Sequence, residues 1–260
     1  MVIQKKEISK KAQGKSVVHL YNNDLKNIET RIPNDIKEQE KIGEFFRKID
    51  GILDLENSRF KKLENFKKTM LDKLFVKDGA DEPQIRLGSF KGKWNSKILG
   101  DIADIYQPQT IQAVDFTKNG FDVYGANGII GKYHSYNHEN SQIAVACRGN
   151  TCGVVNFTKP KSWITGNAMV INIDNSQEIN KYFLYQLLAN TDFSYLISGS
   201  GQPQITGTIK NHKTRIPSDI KEQEAIGEFF RKIDGILEFS QKKITKLENI
   251  KKYLLNKMFV

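Results

Sequence analysis

The sequence predicts an α+β protein, with one α+β domain carried on two long helices that pair in a coiled-coil-like manner. Three observations predict it. A block of 46 residues occurs twice, from Arg31 to Val76 and from Arg215 to Val260, at a constant offset of 184 residues and with 31 positions identical. Both copies place apolar residues at three- and four-residue steps among Lys, Glu and Asn, which is the one-sided stripe of an amphipathic helix. Between them lies an unrepeated stretch of short apolar runs bounded by Gly and Asn turns, the pattern of short buried strands.

Each repeated block opens as a helix start. Arg-Ile-Pro is extended, because a proline pushes the residue before it away from helical dihedrals. Asn34 or Asp35, and Ser218 or Asp219 in the second copy, can then cap the first free amides, and Asp35 with Glu38 has a capping-box spacing. A helix from about residue 35 to 75 is roughly 60 Å long at 1.5 Å per residue. A stripe of that length needs a partner of similar length, and the other copy is the natural one. The pairing surface is assigned to Ile42, Phe45, Ile49, Ile52 and Leu63 in the first copy and Ile226, Phe229, Ile233, Ile236 and Leu247 in the second. Gly43, Gly51, Gly227 and Gly235 lie inside the helices, where each costs about 1 kcal/mol relative to Ala. Their recurrence points to close approach of a neighbour or a local bend.

The middle stretch reads as a compact α+β module. Residues 102–106 alternate weakly, strands are expected at 143–147, 154–157 and 168–173, and a helix from Glu178 to Ala189. Glycine-bearing loops are expected at 124–131, 148–153 and 199–207. These loops carry side chains that read bases: Arg forks onto guanine, and Asn and Gln onto adenine. Arg148, Asn150, Asn127, Gln202 and Gln204 are the base-reading candidates. Lys132, Lys159, Lys161, Lys210 and Lys213 are the candidates for phosphate contacts.

Composition bounds the function. The formal net charge of the 260 residues is +10. It is spread as +3, +2, +2 and +3 over residues 1–30, 31–76, 77–214 and 215–260. Inside the module it concentrates. Lys118 to Val170 holds five basic and two acidic residues, and Tyr195 to Thr214 holds Lys210 and Lys213 with no acid. That distribution points toward a polyanion such as DNA. Mean hydropathy is −0.51, and no apolar run approaches the ~18 residues of a membrane span. Met1 to Lys6 opens without the apolar core of a signal peptide, so a cytoplasmic location is expected. Two cysteines, Cys147 and Cys152, make no disulfide framework.

These features together resemble the specificity (S) subunit of type I restriction–modification systems. The residues that carry the resemblance are Arg-Ile-Pro-(Asn/Ser)-Asp-Ile-Lys-Glu-Gln-Glu before each long helix, Arg86-Leu87-Gly88-Ser89-Phe90-Lys91-Gly92-Lys93-Trp94 followed by Leu99-Gly100-Asp101-Ile102, Tyr124 to Gly131, Trp163 to Met169, and Gly201-Gln202-Pro203-Gln204-Ile205. The resemblance implies target recognition domains held by an antiparallel pair of long helices, each domain reading one half of a split DNA target. It also implies methyltransferase subunits docked on this chain, restriction subunits joining them, and S-adenosylmethionine bound by the methyltransferase partners, not here. Against that pattern the chain has one complete recognition domain, 77–214. Residues 1–30 match only the tail of another, with Leu25-Lys26-Asn27 and Thr30-Arg31 answering Ile209-Lys210-Asn211 and Thr214-Arg215. The expectation is a half-size or truncated subunit, two copies of which pair to read a symmetric split site.

Catalysis is not expected on this chain. It lacks a glycine-rich cofactor loop with an Asn/Asp-Pro-Pro-aromatic motif, and it lacks the phosphate-cradling Gly-x-x-x-x-Gly-Lys-Ser/Thr. Asp219-Ile220-Lys221 has a nuclease-like pairing, but its position at a helix start reads as a cap. His134, His138, Cys147 and Cys152 do not have zinc-site spacing, so no metal is expected. The rival reading is an interaction module whose helices and middle domain both bind protein.

Overall fold

The computed structural model describes Ile8, His19 and residues 21–26, 32–199 and 201–258. The expectation that residues 1–30 form a domain tail therefore falls largely outside the described residues, apart from a short helix, α1 (Asn22–Lys26). The matching segment at the end of the module, Gly207–Asn211, is a turn of 3-10 helix. The two repeated blocks form α2 (Ile36–Leu74) and α5 (Ile220–Met258), 39 residues each. Asp35 and Asp219 cap them, each carboxylate accepting the amide of the residue two further on, Lys37 and Lys221, at 2.9 Å. Asp219 is thus a cap, as its position predicted.

Contacts divide the chain into two units, residues 1–66 with 234–260 and residues 67–233. In the first unit the two helices run antiparallel. Lys251 pairs with Asp50 and Lys243 Nζ lies 2.7 Å from Glu56 Oε1, so one helix advances as the other recedes. Burial follows alternating steps of three and four residues: Phe46, Ile49, Leu53, Glu56, Phe60 and Leu63 face in, as do Leu237, Ser240, Ile244, Leu247, Lys251 and Leu254. That is a heptad spacing. Glu56 sits buried in it, and its hydrogen bond from Lys243 holds its carboxyl below the ordinary range. A polar pair at one seam position fixes the register of two apolar faces.

The seam corrects part of the expected pairing surface. Phe45, Ile52 and Ile236 are 43%, 47% and 56% exposed, while their neighbours Phe46, Leu53 and Leu237 turn inward. Each is the first residue of an apolar doublet, which a 3.6-residue period cannot resolve and a strict heptad can. Ile42, Ile49, Leu63 and Leu247 are half-buried, whereas Ile226, Phe229 and Ile233 belong to the second unit. Leu53→Ala is expected to lower stability by about 2 kcal/mol, and Phe45→Ala to change it by less than ~0.5 kcal/mol, both read by urea unfolding.

In the second unit, β1 (Asn95–Ile98) pairs antiparallel with β9 (Lys213–Ile216), joining the beginning and end of the module. After a short helix, α3 (Leu99–Ile102), come β2 (Asp104–Tyr106), β3 (Phe121–Gly125), β4 (Gly128–Tyr133), β5 (Ile143–Ala146), β6 (Val155–Phe157), β7 (Trp163–Ile164) and β8 (Ala168–Asn172). They form a four-stranded sheet ordered β2-β8-β5-β6 and a three-stranded sheet ordered β4-β3-β7. Tyr124, Ala144, Ile164, Ala168 and Val170 make one buried cluster. The stretch expected as a glycine loop at 124–131 is mostly a hairpin, β3 to β4, with Ala126 and Asn127 at its turn. The helix expected from Glu178 is α4 (Lys181–Ala189), delayed because Asn180 caps it, its side chain accepting the Phe183 amide at 3.0 Å.

The start of α5 is built into this unit. Arg86 Nη1 donates to both oxygens of the buried Glu222, at 2.8 and 2.9 Å, and the Trp94 indole donates to the same carboxylate at 3.4 Å. Gln223 accepts from the Asn180 amide at 2.9 Å and donates to the Glu178 and Pro217 carbonyls at 3.1 and 3.0 Å. Phe75, Trp94, Phe183 and Phe230 pack together, with Phe75 stacked on Phe230 and Trp94 edge-on to Phe75 and Phe183, at centroid distances of 5.5–6.2 Å. A Cβ on Gly227 would lie 2.6 Å from Asn180 Oδ1. At the start of α2 the same residue types are open. Glu38 and Gln39 are exposed, Gln39 among the described residues keeps only its bond to the Pro33 carbonyl, at 2.7 Å, and a Cβ on Gly43 meets nothing within 4 Å. The recurring glycine is therefore a close-approach position in one copy and an empty one in the other. Gly51 and Gly235 meet nothing either.

Candidate nucleic-acid interface

The four-stranded sheet gathers several of its loops at one edge. β2 runs antiparallel to β8, with Tyr106 opposite Val170. β8 and β5 set Ala146 opposite Ala168, and β5 and β6 set Val145 opposite Val155. The end of β2, the start of β8, the end of β5 and the start of β6 therefore share that edge. The 147–154 loop turns there, with Gly149 and Gly153 at positive φ.

Backbone bonds stitch further loops to this edge. Gly149 N–H donates to the Pro203 carbonyl at 2.9 Å, and Ile205 N–H to the Cys147 carbonyl at 3.0 Å. Arg148 and Gln204 form an isolated bridge. Ser198 and Gln204 exchange two backbone bonds of 2.9 Å each, closing the loop between them, of which Ser200 lies outside the described residues. The hairpin turn joins through Thr151, whose hydroxyl lies 2.8 Å from Asn127 Oδ1 and 3.1 Å from the Ala126 carbonyl. The structure thus brings all five base-reading candidates, Arg148, Asn150, Asn127, Gln202 and Gln204, onto three linked loops, and each is exposed. Together they present a guanidinium and four carboxamides, which can fork onto purine edges in a major groove.

The lysine candidates are not gathered there. Lys132 and Lys159 both bind the buried Asp122, Lys159 at 3.0 Å. The Lys132 hydrogen bond, with Lys159 beside it, holds that carboxyl below its ordinary range. Lys161, at φ 52°, lies 3.6 Å from Glu139. Lys159 and Lys161 follow the far end of β6. Lys210 packs its backbone on Gly100, and Lys213 pairs with Ile98 in β9. Both are exposed and make no ion pair among the described residues. Sequence spacing could not reveal that Asp122, 37 residues from Lys159, captures two of the five.

The metal-like set is dispersed into packing roles. His138 is buried and stacked on Tyr106, with the phenol 3.0 Å from Nε2 and Asn137 Oδ1 2.6 Å from Nδ1. Because that Asn137 oxygen also accepts from the Ile164 amide, Nδ1 carries the proton. Burial holds the imidazole below its ordinary pKa. Cys147 is buried and Cys152 half-buried. No group of three His, Cys, Asp or Glu converges among the described residues. One contact at the edge goes beyond the sequence candidates: Gln107 Nε2 lies 3.1 Å from Cys147 Sγ, beside Arg148. The available signal was a second Gln-Pro-Gln triplet at 107–109, matching 202–204.

A module bearing amide-rich loops on one sheet edge, flanked in sequence by two copies of one helix, is the layout that the sequence resemblance implies. The chain belongs to the family described as the type I restriction modification DNA specificity domain, whose model matches residues 91–249. It is similar to the type I restriction enzyme MjaVIII specificity subunit of Methanocaldococcus jannaschii, with 24% identity over 96% of this chain and 65% of that protein. It is also similar to the putative type I restriction enzyme MjaX specificity subunit of the same organism, with 23% identity over 96% and 62%. Its fold matches the crystal structure of a type I restriction–modification system S subunit from M. genitalium, with a TM-score of 0.77 at 20% identity over 99% of this chain and 70% of that one. The HsdS subunit from Thermoanaerobacter tengcongensis matches with a TM-score of 0.53 at 17% identity over 98% and 67%. The chain spans about two thirds of the length of the curated relatives it matches.

Proposed function

We propose that this chain is the sequence-specific DNA-binding specificity subunit of a type I restriction–modification enzyme, reading one half of a split target and acting without catalysis of its own. The observation that carries the reading is the single edge on which Arg148, Asn150, Asn127, Gln202 and Gln204 meet. Such an enzyme works on duplex DNA in the cytoplasm, and among the described residues no helix is long and apolar enough to cross a membrane.

Methyltransferase subunits dock on the long helices in this reading, and restriction subunits join them. Support comes from apolar side chains exposed beside the seam on both helices: Ile52 and Leu55 on α2 at the positions that match Ile236 and Phe239 on α5, with Phe45, Ile250 and Tyr253 besides. Large apolar side chains exposed together on a helix pair fit a protein-binding face. The second half-site comes from a second copy. The open residues at the start of α2 leave room for a further module, while the helices already pair within one chain. Light scattering of the chain with DNA at micromolar concentration is expected to show two copies; a monomer under all conditions contradicts the pairing.

DNA binding itself is tested by two classes of variant. Arg148→Ala and Gln204→Ala are expected to lose about 1–3 kcal/mol on the preferred sequence and little on others. Lys210→Ala and Lys213→Ala should weaken all sequences alike and reduce the salt slope by about 1 for each phosphate no longer neutralised. Equal behaviour of the two classes in fluorescence anisotropy contradicts the assignment.

A further inference from the structure

The chain holds two Gln-Pro-Gln triplets, 107–109 and 202–204, and both grip the segment that carries Arg148. The second meets it by backbone bonds, Gly149 N–H to Pro203 O at 2.9 Å and Ile205 N–H to Cys147 O at 3.0 Å. The first meets it by a side chain. Gln107 Nε2 lies 3.1 Å from Cys147 Sγ and 3.3 Å from the Gly166 carbonyl.

The register explains why the first triplet is there. It follows β2 directly, and β2 ends on the loop-bearing edge of the sheet. β2 and β5 are separated only by β8, so the two exits stand about 10 Å apart at ~4.8 Å per strand. That span is about three base steps at ~3.4 Å each.

The loop is held in place. Pro108 fixes its own φ. The Trp163 indole donates to the Gln109 carbonyl at 3.2 Å. At Gly166 a Cβ would lie 2.6 Å from Thr110 Oγ1 and 3.0 Å from the Pro108 carbonyl, so the loop rests against a position that has no side chain. On this anchored backbone the Gln109 side chain is exposed and makes no hydrogen bond among the described residues.

We propose that Gln109 is a further base-reading residue, that it forks onto an adenine about three base steps from the base read by Arg148, and that Gln107 positions its loop. The carboxamide of Gln109 supplies the donor and acceptor that adenine N7 and N6 require. The proposal rests on the DNA-reading function above.

The test selects duplexes from a randomised library with the full chain, unaltered and as Gln109→Ala and Gln109→Glu. The unaltered chain is expected to enrich a motif. Gln109→Ala should lose about tenfold in preference at one adenine and keep the other positions. Gln109→Glu should move that position toward cytosine, whose amino group donates to a carboxylate. If both variants enrich the unaltered motif with the same preference at every position, the role of Gln109 is overturned while DNA reading stands. If the unaltered chain enriches no motif, the DNA-reading function falls, and this proposal falls with it.

Discussion

Arg86→Ala is expected to lower the stability of the recognition unit by about 3–5 kcal/mol, because it strands the buried Glu222 carboxylate without its counter-ion. The sign of the pH dependence follows. Burial already pushes the Glu222 carboxyl upward, and Arg86 opposes that shift. Removing Arg86 lets the carboxyl rise further, so the variant regains stability as falling pH protonates Glu222 and loses it as pH rises through the carboxylate range. Glu222→Gln in the Arg86→Ala background should recover part of the loss at neutral pH. Glu38→Ala, a substitution in the exposed copy of the motif, should cost less than ~0.5 kcal/mol. Thermal or urea unfolding between pH 5 and 8 checks all of these variants.

Gly227→Val should cost about 1–3 kcal/mol by overpacking, and about 1 kcal/mol more if it dislodges the Asn180 cap. Its Cβ would meet Asn180 Oδ1 at 2.6 Å and the Phe183 amide at 3.1 Å, the two atoms that form that cap. Gly43→Ala should do the opposite and gain about 1 kcal/mol, since nothing lies near and Ala is the better helix former. Opposite signs at two positions of one repeat show that the repeated glycine serves a seat filled in only one copy. Equal effects would contradict that reading.

The twin helices were legible because 31 of 46 residues recur, and a stripe of that length has few ways to be buried. Which residue of each apolar doublet turns inward was not. Phe45-Phe46 and Ile52-Leu53 satisfy a helical period equally, and only the partner helix chooses between them. The hairpin from Phe121 to Tyr133 hid in its glycines, which look like a loop until the pairing of Asp122 with Lys132 is known. The reading loops were found by residue type, and the structure added that backbone bonds join them. The first Gln-Pro-Gln triplet carries no local sign of its place, because β2 is only three residues long and its neighbour on the sheet, β8, is more than 60 residues away. The lysines failed to converge for a related reason: ion pairing to Asp122 is made through space and leaves no local signature.

In the proposed function, the loop edge carrying Arg148 selects the DNA sequence that a methyltransferase partner modifies. Mapping of methylated bases on genomic DNA, exposed to the partner with either the unaltered chain or Arg148→Ala, puts this to the sharpest test. One split sequence should be methylated with the unaltered chain, and preference at a single base pair should relax with the variant. Methylation that follows the same sequence with both chains, or that needs neither, would contradict it.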